Sequence, residues 1–167
     1  MVELVVGIVL TAALTAVLGG ILAHSIKDRI DRDRERFDSS IELVDTLANS
    51  LWAYWKLALR LAYYGRKGDS GKDYDLALQR WNGDDAWKLG ADIQMQLSRS
   101  KRLLPLVAHE KLDKTQRAVV KDLDDEIERL QHSKKPAEWQ EFYDSLMNEK
   151  RAEIDRLLTD VTSDLKL

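Results

Sequence analysis

A chain of 167 residues, 44% hydrophobic and 33% charged, is sized for one domain, and its formal net charge of −3 gives no reason to expect nucleic acid. The absence of cysteine excludes disulfides, thiolate-bound zinc and thiol catalysis. Two prolines and eight glycines are few breakers for such a length, and no strand-like alternation occurs, so the sequence predicts an all-α fold of a few long helices.

The first element is apolar. Leu4 to Ala23 carries no charge, and its only polar side chains are Thr11 and Thr15. About 20 helical residues match the ~30 Å hydrocarbon core of a bilayer. A buried soluble helix would show a polar face, and a signal peptide would show a basic leader, whereas the one early charge here is Glu3. The expectation is a transmembrane anchor over residues 1–24. Lys27, Arg29, Arg32, Arg34 and Arg36 follow it and none precedes it. That asymmetry predicts an N-terminus outside and the rest of the chain in the cytoplasm.

Two rows of small residues run along this segment: Thr11, Thr15, Gly19 and Ala23, and beside them Ala12, Ala16 and Gly20. Such rows let a second helix approach closely, either another copy of the chain or another membrane protein. They also reflect the general abundance of glycine and alanine in membrane helices.

Residues 25–36 are expected to form a charged helical stalk. Lys27 with Asp31, Asp28 with Arg32, and Arg29 with Asp33 stand four apart, a spacing that adds ~0.2–0.5 kcal/mol per pair. The same bases read alternatively as contacts to anionic lipid, although the interleaved acids weaken that reading.

Residues 37–167 are expected to form a cytoplasmic bundle of four antiparallel helices, the first continuous with the membrane helix. In that first helix Phe37, Ile41, Val44, Ala48, Leu51, Trp55, Ala58 and Ala62 make a coiled-coil-like stripe that ends at Gly65. A second helix is expected from near Lys72 to about Leu104. Asn82 to Asp85 interrupts its pattern, but the period resumes at once, which favours a continuous or kinked helix. A third begins at Leu106, or later with Asp113 as its cap. Pro136 suits the first turn of a fourth.

Tyr63 and Tyr64 lie off the first stripe. With Arg60, Arg66 and Lys67 they form a candidate partner surface, or they cover the end of the core. Arg99, Lys101 and Arg102 suit the C-terminal dipole of the second helix and are also candidate lipid contacts. The acids from Asp122 to Glu128 alternate with Leu123 and Ile127, which is the pattern of a solvated face. There is no paired nucleophile and base, phosphate loop or metal motif, so no catalytic, cofactor or metal residue is assigned.

The sequence therefore points to a non-enzymatic, single-pass membrane-anchored interaction module: a scaffold, adaptor, sensor or complex subunit. Its partners would be membrane lipid and another membrane protein or itself. The alternative is a membrane-acting effector or toxin accessory that oligomerises through its anchor.

Overall fold

The computed structural model describes residues 2–68, 71–133 and 135–165, with side chains from Ser25 onward apart from Thr115. Every described element is helical. The order is α1 (Val2–Gly65), α2 (Lys72–Asn82), α3 (Asp84–Leu103), α4 (Leu106–Ser133), α5 (Pro136–Ser145), a π-helical turn (Leu146–Lys150) and α6 (Arg151–Leu165). The chain divides into two compact units, Met1–Asp38 and Ser39–Leu167.

In the first unit the described side chains, from Ser25 to Asp38, are all exposed. At ~100° per residue, Ile26, Ile30 and Phe37 share one narrow sector of the helix. Lys27 and Arg34 border it on one side, Arg29 and Arg36 on the other. Asp31, Glu35 and Asp38 lie opposite, and Asp33 is the one acid inside the apolar sector. The stretch is therefore amphipathic, not polar all round. The expected pairs Lys27–Asp31 and Arg29–Asp33 do not close as ion pairs among the described residues, and Arg32 Nε donates to the Asp28 carbonyl at 3.0 Å. Exposed ends of long side chains gain too little from such pairs to be held in them. Among the described residues no helix is long and apolar enough to cross a membrane. The expected anchor, Leu4 to Ala23, lies outside the described side chains.

The second unit is a four-armed helical bundle: the later part of α1, then α2 with α3, then α4, then α5 to α6. Antiparallel neighbours follow from paired contacts. Ser40 Oγ donates to the Leu103 carbonyl at 3.2 Å, Ser100 Oγ meets His109 Nδ1 at 2.7 Å, and Lys111 reaches Asp164 at 3.0 Å. The core joins Leu43, Leu47, Leu51 and Leu61 to Ile93, Leu112, Leu123, Ile127, Leu130, Leu146 and Ile154, all fully buried.

Val44, Leu51, Trp55, Ala58 and Ala62 of the expected α1 stripe are buried, but its first two positions are not. Leu43, Leu47, Tyr54 and Leu61 are buried, whereas Phe37 and Ile41 are 44% and 41% exposed.

The second arm is not continuous. Gly83 is extended (φ −105°, ψ −160°), so α2 stops at Asn82 and α3 starts afresh at Asp84. A Cβ at Gly83 would stand 2.6 Å from the Gln79 carbonyl oxygen, so only glycine fits. Asp84 and Asp85 then occupy the first turn of α3, where the helix dipole favours acids. The third arm begins at Leu106 rather than at a cap on Asp113. Pro136 opens α5 as expected.

Gly65 ends α1, but not as a left-handed cap. A Cβ there would fall within the indole ring of Trp139, so glycine is what lets that ring close over the helix end. The positive φ of the turn belongs to Gly68, at 64°.

Candidate functional site

Two surface features of the bundle unite chemistry from several helices. The first is at the Gly65 end. Tyr63 and Tyr64 pack edge to face at 5.3 Å between centroids, and Tyr63 also meets Tyr143 of α5 at 6.2 Å. The Arg66 guanidinium lies between those two rings, 3.9 Å from Tyr143 and 4.7 Å from Tyr63, and it donates to Gln140 Oε1 at 3.5 Å. Lys67 sits 4.2 Å from the Tyr63 ring. Lys67, followed by Arg66, holds the Tyr63 hydroxyl below its usual range, and Tyr63 in turn raises Lys67.

The structure thus brings Tyr63, Tyr64 and Arg66 together. Arg60 is exposed and makes no bond or ring contact among the described residues. Tyr64 packs against the core, and the Arg66 cation is already engaged by two rings of its own chain. This cluster ties α1 to α5.

The second feature was not singled out from the sequence. Between α3 and α4 runs an open groove of about 500 Å³. Gly83, Ala86, Gly90 and Ala91 keep its α3 side low, Val120 and Asp124 form its α4 side, and Tyr54 and Trp81 reach it from below. Trp87 stands beside it, 73% exposed, the most exposed of the large apolar side chains described. Tyr54 and Trp81 pack at 5.1 Å between centroids. The Tyr54 hydroxyl donates to Asp124 Oδ1 at 2.5 Å.

The Tyr54 ring is buried, whereas Asp124 lies at the exposed surface of the groove. Burial, reinforced by the Asp124 carboxylate, pushes the Tyr54 phenol far above its usual range. Burial also raises Asp124, against the opposing effect of the Tyr54 bond. Among the described residues, no lysine, arginine or histidine lines the groove.

The sequence hinted at this place only through Trp87 and the glycines. In a continuous helix Trp81 and Trp87 would sit in a fixed relation. The break at Gly83 resets it and leaves one ring buried and the other in solvent.

The remaining expected sites are distributed over both units. Lys27 and Arg29 belong to the amphipathic stretch of the first unit. Arg99, Lys101 and Arg102 are exposed in the last turns of α3, where Arg99 donates to Gln96 Oε1 at 3.4 Å. The membrane-helix packing residues Thr11, Ala12, Thr15, Ala16, Gly19, Gly20 and Ala23 lie outside the described side chains. The acidic run of α4 is partly spent on neighbours. Lys150 binds Asp122 at 2.8 Å, Arg129 binds Glu126 at 2.7 Å, and Tyr54 binds Asp124.

No family model, curated protein or solved structure matches the chain.

Proposed function

We propose that this protein is a non-enzymatic, single-pass membrane-anchored interaction module, with its N-terminus outside and its helical bundle at the cytoplasmic face. The observation that carries the reading is the charge pattern around Leu4–Ala23. Twenty uncharged residues are followed within thirteen by five bases. An exposed tryptophan beside an open groove supports an interaction role, because aromatic side chains concentrate binding energy at protein surfaces.

The test is a pair of reporters fused after Leu167, one active only in the cytoplasm and one only outside it. Signal from the cytoplasmic reporter, with the protein retained in membranes after alkaline washing, is expected. Signal from the external reporter, or release by the wash, would overturn the reading.

The small-residue rows support the second reading, an effector whose anchors assemble and perturb the bilayer. It predicts depolarisation on overexpression that is lost in a Gly19→Leu, Gly20→Leu variant. An unchanged membrane potential would eliminate it.

A further inference from the structure

We propose that the groove between α3 and α4 binds an alkylammonium group, seated against Trp87 with its charge beside the Asp124 carboxylate. Four observations converge on that chemistry. The lining holds one carboxylate and no cationic side chain, so an anion finds no counter-charge there. The carboxylate is oriented: Tyr54 holds Oδ1, while Oδ2 has no bond to any described residue. Trp87, on the lining and 73% exposed, is an aromatic side chain of the kind that attracts cations within ~6 Å of its face. A Cβ on Gly90 would meet nothing within 4 Å, so the space is open where a ligand stem would lie.

Other ligand classes fit less well. A hard divalent ion needs several oxygen ligands, and the groove has one carboxylate among indole rings. A neutral apolar group would cover Asp124 without pairing it, which costs free energy.

The amine has two sources, a free small molecule or a lysine side chain of a partner protein. The second rests on the interaction-module reading; binding of the amine itself does not.

The full chain, with indole nitrogens labelled and kept in a maltoside detergent, is titrated with butylammonium chloride, and with butanol and sodium chloride as controls. Saturable shifts of the Trp87 and Trp81 indole signals are expected with butylammonium alone. Asp124→Asn, which keeps an acceptor for Tyr54, weakens binding about tenfold or more. Gly90→Leu fills the groove and abolishes it, while the buried Trp55 and Trp139 signals stay in place and report an intact bundle. Absence of a Trp87 shift, an equal response to butanol, or unaltered binding in Gly90→Leu would each overturn the proposal. A helical peptide bearing one lysine, compared with its N-acetyl-lysine counterpart, separates the sources. Binding tenfold tighter than butylammonium and lost on acetylation assigns the site to a protein lysine, and binding no tighter assigns it to a free amine.

Discussion

The indole Nε1 of Trp55 donates to the backbone carbonyl of Leu146 across 3.0 Å, and Leu146 is the first residue of the π-helical turn between α5 and α6. Single π-turns of this kind interrupt the regular i→i−4 ladder of a helix. Trp55 is buried, so its donor and this carbonyl have no ready access to water. Trp55→Phe keeps most of the ring and deletes the donor. The expected loss is about 1–3 kcal/mol, read as a lower urea midpoint with an unchanged slope. An unchanged midpoint would show that the bond contributes nothing.

Gln116 is fully buried, and neither end of its amide has a partner among the described residues. It sits on the buried face of α4 between Leu112 and Val119. Replacing an unsatisfied amide with an apolar chain of similar length removes a desolvation penalty of about 1–3 kcal/mol. Gln116→Met should therefore raise the urea midpoint. A fall would mean that the amide is satisfied in solution.

Tyr54 sets an alkaline limit on stability. Its phenol titrates far higher in the folded chain than in the unfolded chain, first through burial and then through the Asp124 bond. The stabilisation is fully present below the ordinary tyrosine range, near ~10. Above that range the unfolded chain releases a proton that the folded chain keeps, so stability falls as pH rises. The midpoint of Tyr54→Phe should decline less steeply than wild type between roughly pH 10 and 12. Parallel curves would remove the claim.

Two glycines should respond in opposite directions to alanine. At Gly65 the new Cβ would collide with the Trp139 ring, and overpacking of this kind costs typically ~1–3 kcal/mol. At Gly90, inside α3 and facing open space, alanine should stabilise by roughly 0.5–1 kcal/mol through backbone entropy. Thermal melts of the two variants on opposite sides of wild type are the expected result. Melts on the same side would contradict the packing described for one of them.

These residues also mark what the sequence could and could not reveal. The end of α1 at Gly65 and the start of α5 at Pro136 were legible because glycine and proline act locally. The burial of Trp55 followed from helical periodicity. The π-turn was not legible, since the Trp55 indole that bonds its first residue lies 91 residues away in the chain. Nor was the break at Gly83, because the resumed period hides an extended residue that only the Gln79 carbonyl makes obligatory. Phe37 and Ile41 fitted the apolar stripe, but periodicity cannot say whether a neighbour arrives to cover it. The groove was invisible for a similar reason: Tyr54, Trp87 and Asp124 come from three helices, and no local pattern links them.

Gly83 has a further consequence, on the timescale of opening. The hydrogen-bond ladder stops there, and α2 has only 11 residues and no side-chain cap at its N-terminus. A helix so short is marginal in water by itself, so packing of Ala77 and Trp81 keeps it folded. Detachment of α2 alone would take Trp81 off the Tyr54 ring. Amide exchange should therefore find α2 opening as a block ahead of its neighbours, a latch on the bundle rather than a rib of it.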